Sequence, residues 1–192
     1  MSASPAGSSL AASSAPAGEL AIGRAALRQL HASLANRAGD QAVAVLQEAG
    51  YAAGEATYRA FAAWLPAHAG VDRPEDLDAA LLGGTLSEFF ARAGWGRVAM
   101  QPIGVSALAL DSDDWAEAEP GSAESPMCFF SAGMLADFLG RLSDQPVAVM
   151  EVECRSRGDA RCRFLSALPE VLERVYEAMT AGQSYEEGLG AS

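Results

Sequence analysis

Residues 147–165 read VAVMEVECRSRGDARCRFL. Two runs, Val147 to Glu153 and Arg161 to Leu165, flank the turn-forming triplet Arg157-Gly158-Asp159, so the stretch reads as an antiparallel hairpin. With its loop centred on Gly158, Cys154 and Cys162 each stand four positions away and become cross-strand partners. The Cβ atoms of such partners lie roughly 4.5–5.5 Å apart. That spacing lets two thiolates each sit about 2.3 Å from one zinc ion. Glu151, three residues before Cys154, supplies a carboxylate if the strand end twists or bulges. Strict alternation instead places Glu151 and Cys154 on opposite faces. Two other readings stand beside the metal. Cysteines serve as small buried hydrophobes, and a Cys154–Cys162 disulfide is a rival that the lack of a secretion signal disfavours.

Working outward, Pro126 opens a helix over Met127–Leu142 that is apolar on nearly every side and starts at Cys128. Before it, Asp111 to Ser125 carries Pro, Gly and six carboxylates and reads as a solvated loop. Arg97–Ile103 and Val105–Leu110, on either side of Gly104, are short strands. Further upstream the periodicity is helical. Leu20, Gly23, Leu27, Leu30 and Leu34 mark one helix ending near Gly39, and Val43 to Trp64 mark a longer one stopped by Pro66. Asp72-Arg73-Pro74 starts a short helix that Gly83-Gly84 ends, and Thr85 with Glu88 has capping-box spacing for another, closed by Gly94. A last helix runs from Pro169 to about Met179. Helices first, then two hairpins separated by a helix, define an α+β fold with an antiparallel sheet.

Composition bounds the function. The chain has 192 residues, half of them hydrophobic, which is room for one domain. Acidic residues outnumber basic ones 25 to 13, for a net charge of −12, and every basic residue is arginine. Such a surface repels phosphate backbones and argues against nucleic-acid binding. No stretch reaches the length of apolar sequence that spans a membrane. Residues 1–18 are Ser/Ala/Gly/Pro-rich with no charge, unlike a secretory or mitochondrial leader, and are expected to be a disordered tail. The ordered domain is expected over residues 19–181, with 182–192 frayed, and three cysteines suit a reducing cytoplasm.

Three segments together resemble the 4-vinyl reductase domain: Cys128-Phe129-Phe130-Ser131-Ala132-Gly133, Val149-Met150-Glu151-Val152-Glu153-Cys154, and Gly158-Asp159-Ala160-Arg161-Cys162-Arg163-Phe164. That family is marked by a Cys and aromatic-Gly helix start, then Glu-x-x-Cys, then Gly-Asp-x-x-Cys-x-Phe. The resemblance implies a helical layer packed on an antiparallel sheet, similar to small subunits of the vesicle-tethering complex and to haem-based nitric-oxide sensor domains. It implies a sensor for aromatic effectors, or an accessory factor in bacteriochlorophyll and other tetrapyrrole metabolism. A protein-binding scaffold of tethering-subunit type is a third reading. In the sensor branch zinc is held by Cys, Glu, Cys and Cys, which fall here on Cys128, Glu151, Cys154 and Cys162.

Four protein ligands close a tetrahedron and leave no position for water, so the zinc is expected to be structural. Arg155, Arg157, Arg161 and Arg163 lie beside it and are expected in part to donate to the ligand sulfurs. His31 and His68, the only histidines, have no obvious nucleophile nearby, and no phosphate loop or nucleophile elbow occurs. Nothing points to a redox cofactor, so no vinyl reductase activity is expected. Candidate walls of an apolar or aromatic ligand pocket are Trp64, Phe89, Trp95, Phe130, Met134 and Phe138. The resemblance and the apolar helices also lead to the expectation of a homodimer. With no room for an output domain, any signal passes to a separate protein effector.

Overall fold

A computed structural model describes residues 22–39 and 41–190; the expected tail at 1–18 lies outside them. The helices are α1 (Arg24–Ala38), α2 (Gln41–His68), α3 (Ala79–Arg92), α4 (Phe129–Ser143), α5 (Pro169–Thr180) and α6 (Tyr185–Gly190). The strands are β1 (Ala99–Ile103), β2 (Ala107–Ser112), β3 (Ala148–Glu153) and β4 (Cys162–Ala167). Both expected hairpins form, and they join along their inner strands into one antiparallel sheet of order β1-β2-β4-β3.

Alternation along the central strands divides the interior. Leu110, Cys162 and Phe164 face α2, α3 and α4, where Phe61, Leu65, Leu86, Phe90, Trp115 and Phe138 complete the larger core. Ala109, Leu165 and Ala167 face the other way, onto Val171, Leu172 and Val175 of α5 and Leu189 of α6. The helical layer therefore lies on one face and a smaller helical pair on the other.

Glycines decide how closely α2 and α4 approach. A Cβ on Gly133 would stand 2.1 Å from the Gln47 carbonyl oxygen, and one on Gly50 would stand 2.0 Å from that of Phe130. In each case the obstacle is backbone, which cannot rotate aside. The two helices touch main chain to main chain, which draws the start of α4 against α2.

Several sequence expectations need correction. Pro66 does not stop α2, which runs on to His68. Proline forfeits only its own ladder bond, and the Ala69 and Gly70 N–H groups close the end on the Leu65 carbonyl. Gly83-Gly84 does not end a helix either. Pro74–Asp76 forms a 3-10 turn, and Asp78 caps a single α3 that passes through both glycines. Burial of Leu86, Phe89 and Phe90 outweighs the glycine penalty, and Gly83 sits against Met100. Thr85 returns its hydroxyl to the Leu81 carbonyl instead of capping. The segment expected to be solvated contains Trp115, Ala116, Glu117 and Ala118, all buried. The helix expected from Met127 begins at Phe129. Residues 185–190, expected to fray, form α6, held by buried Leu189 and by Tyr185.

The close helix contact makes a prediction. Gly133→Ala should cost about 1–3 kcal/mol through enforced separation of α2 and α4. Gly84→Ala, in open space on α3, should gain about 0.5–1 kcal/mol. Urea unfolding of both variants checks this, and equal effects would contradict the packing.

Candidate metal centre

Four side chains from three elements converge on one point. Cys128 is the N-cap of α4, Glu151 lies in β3, Cys154 follows β3, and Cys162 is the first residue of β4. Their ligand atoms all lie within 4.8 Å of one another and all four residues are buried, so the group could hold a metal ion. The Cys128 and Cys154 sulfurs are 4.0 Å apart, close to the ~3.8 Å edge of a tetrahedron with 2.3 Å metal–sulfur bonds.

The objection from strict alternation is met by a β-bulge. Glu151 pairs with Phe164 and Glu153 with Arg163, so Val152 is an extra residue on β3. The extra residue resets the alternation, which turns Glu151 and Cys154 to the same face and sets Cys154 opposite Cys162. Beyond it, a 3-10 turn at Arg155–Arg157 and Gly158 at φ 102° reverse the chain. Asp159 fixes this reversal: its carboxylate accepts from the Cys154 N–H at 2.7 Å and from Arg157.

The carboxylate of Glu151 does two jobs. One oxygen accepts from the backbone N–H groups of Met127 and Cys128, at 3.1 and 3.0 Å. The other is buried and has no hydrogen-bond partner. An orphaned anionic oxygen among three thiols is costly, and a cation between them would satisfy it. Three sulfurs and one carboxylate oxygen suit a thiophilic divalent ion.

The protonation pattern agrees. Burial, then the Cys154 charge, pushes the Glu151 carboxyl up to about 8. Bonds donated by Cys128 and Cys162 pull the Cys154 thiol far below its usual range. Cys128 is pushed far up by its bond to Cys154, then its bond to Cys162 and burial. For Cys162 a bond with Cys128 pulls down, but its bond to Cys154 and burial prevail and raise it.

The neighbouring arginines do not reach the sulfurs as expected. Arg163 makes two bonds to Asp111, at 2.7 and 2.6 Å, and a third to Tyr185. Arg161 pairs with Glu153, and Arg157 with Asp159 and the Val152 carbonyl. Alternation sends the odd-numbered side chains of β4 to the α6 face, away from Cys162. The donors to sulfur are instead the backbone N–H groups of Met127, toward Cys154, and of Arg155, toward Cys162.

The aromatic candidates fall into two touching groups. Trp64 and Phe89 pack edge-on at 5.8 Å, and Phe89 stacks on Phe138 at 6.4 Å. Trp95 stacks on Phe130 at 6.0 Å. Phe90 and Trp115 join the groups, which sequence reasoning missed because each stands in a segment assigned to something else. Met134 is buried in the same core. The indole N–H of Trp64 is buried there without an acceptor, while His68 stacks on the ring at 4.2 Å. Glu117 and His31 were also missed. His31 Nε2 lies 3.3 Å from the Glu117 carboxylate, both buried beside the start of α4. Burial holds the Glu117 carboxyl up at about 7 and lowers His31.

Comparison with known proteins agrees with this anatomy. Residues 113–166 match the family model of the 4-vinyl reductase domain, so the chain carries a domain of that family, and the matched segment contains all four candidate ligands. An uncharacterised protein of Methanocaldococcus jannaschii is 37% identical over 57 residues, 30% of this chain and 32% of that protein. The chain thus aligns with about a third of that relative's length. The phenol-responsive sensory domain of the transcription activator PoxR, solved with phenol, shares the fold, with a TM-score of 0.58 at 19% identity over 79% of this chain and 77% of that one. A trafficking protein particle complex subunit 3 from Naegleria fowleri, covalently bound to palmitic acid, gives a TM-score of 0.48 at 12% identity over 76% of this chain and 94% of that one.

Metal loading should release protons, because Cys128, Cys162 and Glu151 must give theirs up to become ligands. At pH 7, loading should release about three protons per ion, and affinity should rise with pH. Calorimetry in buffers of different ionisation enthalpy measures the number. A value near zero would contradict the ligand set.

Proposed function

We propose that the protein is a zinc-stabilised domain that binds a small, apolar aromatic molecule, with a hydroxyl on that molecule as its polar anchor. The observation that carries the ligand class is the unpartnered indole N–H of Trp64, buried among Phe61, Phe89 and Phe138. An unsatisfied donor inside an aromatic cluster costs about 1–3 kcal/mol. A phenol-like molecule removes that cost and offers its ring to edge-on and stacked contacts. The candidate walls Trp64, Phe89, Trp95, Phe130, Met134 and Phe138 touch one another, so a ligand enters by displacing rings. The phenol-responsive domain that shares the fold supports the same ligand class.

Zinc at Cys128, Glu151, Cys154 and Cys162 is structural in this reading. It holds α4, whose Phe130, Met134 and Phe138 line the cluster, against the hairpin. Its chemistry is to neutralise the thiolates and to crosslink elements distant in sequence. No residue pattern beside it supplies a nucleophile or a redox group, and the role proposed is binding, not catalysis. A homodimer through the α1 and α2 surfaces, where Leu30, Val45 and Tyr51 are exposed, would pass the occupied state to a separate effector.

Two experiments test this. Elemental analysis should find one zinc per chain, lost in Cys154→Ser, weakened in Glu151→Gln and kept in Glu153→Gln. Zinc undiminished in Cys154→Ser would overturn the assignment. A thermal-shift screen should show phenol raising Tm by mass action. Trp64→Phe should lose about tenfold in phenol affinity while toluene, lacking the hydroxyl, is unaffected. If no aromatic molecule shifts Tm, the binding reading fails and a protein scaffold replaces it.

A further inference from the structure

Cys128 occupies the N-cap of α4, yet its side chain makes no capping bond. An N-cap side chain ordinarily accepts from the second and third N–H groups of its helix. Here the sulfur is turned toward Cys154, so those two donors need another acceptor. Glu117 supplies it from a distant segment. One carboxylate oxygen accepts from the Phe130 N–H at 3.1 Å, and the other from the Ser131 N–H at 2.7 Å and from the Ser131 hydroxyl. Ser131 in turn accepts from the Trp115 indole at 2.7 Å. Behind Glu117 stands His31 of α1, a helix with only Leu27 and His31 buried. The main chain that carries Cys128 is thus gripped by two carboxylates. Glu151 holds the Met127 and Cys128 N–H groups and belongs to the ligand set, whereas Glu117 holds the next turn and does not.

We infer that Glu117 is the positioning residue of the metal centre: it caps α4 in place of Cys128 and thereby frees that sulfur to be a ligand. The inference rests on the metal reading above. Without Glu117, two N–H groups at the buried start of α4 lose their acceptor. The first turn must then fray or recruit the Cys128 sulfur, and either change moves the sulfur out of the ligand cluster. Zinc retention therefore depends on a residue that never touches zinc. Through His31, the seating of α1 is tied to the same carboxylate.

The test is the rate at which zinc passes from the full-length protein to a chromogenic chelator at neutral pH. Glu117→Gln keeps one acceptor oxygen and loses the other, and should release zinc at least tenfold faster than the wild type. Glu117→Asp, with the charge and both oxygens on a shorter arm, should fall between them. Leu172→Ala, packed on the far face of the sheet, measures how much release quickens when the fold is merely weakened. At equal urea midpoint Glu117→Gln should still release faster than Leu172→Ala. Equal rates would overturn the inference while leaving the metal assignment intact. A wild-type protein without zinc would overturn both. If Glu117→Gln does not fold, Glu117→Asp against Leu172→Ala decides the same question.

Discussion

Three thiols and a carboxylate meet in the interior where the β3–β4 hairpin abuts the first turn of α4, and much of the architecture serves that meeting. The extra residue at Val152 brings Glu151 and Cys154 to one face. The knuckle at Gly158, fixed by Asp159, sets Cys154 opposite Cys162. The glycine contacts between α2 and α4 draw the Cys128 end of α4 into the core. Left without a cation, the cluster would bury an anionic oxygen with no partner and several groups competing for protons, a costly arrangement in a low-dielectric interior.

The same junction governs the aromatic core. Phe130, Met134 and Phe138 project from the helix whose start the ligands hold, and they meet Trp64 and Phe89 from α2 and α3. A shift at the start of α4 is therefore a shift of the aromatic surface, and a ligand that displaces those rings pushes back on the same helix. The other face of the sheet is built on different physics. There Arg163, Asp111, Glu153 and Tyr185 form a largely buried polar network that seats α6. One strand, β4, thus serves a thiolate cluster with Cys162 and an ion-pair network with Arg163.

Much of this is legible in the sequence. The hairpin can be read because Gly158 stands midway between two cysteines and between two apolar runs, and the helix at Cys128 because of its unbroken apolar character. The ligand quartet requires the family resemblance, since alternation alone cannot announce a bulge. Other features are hidden by rules that burial overrides. The six carboxylates of 111–125 suggest solvent, yet Trp115 signals that the segment dips into the core and carries Glu117 with it. Gly83-Gly84 and Pro66 look like stops, but Leu86, Phe90 and Leu65 are worth more in the core than those residues cost in the helix. The arginines can be placed correctly from period two alone, because Arg161 and Arg163 flank Cys162 and so face away from it.

The central claim is that the buried quartet is a mixed thiolate–carboxylate zinc site. X-ray absorption at the zinc edge of the purified protein tests it most directly. The account predicts a coordination shell of three sulfurs at about 2.3 Å and one oxygen at about 2.0–2.2 Å. A shell of oxygen and nitrogen alone, or of four sulfurs, would contradict it.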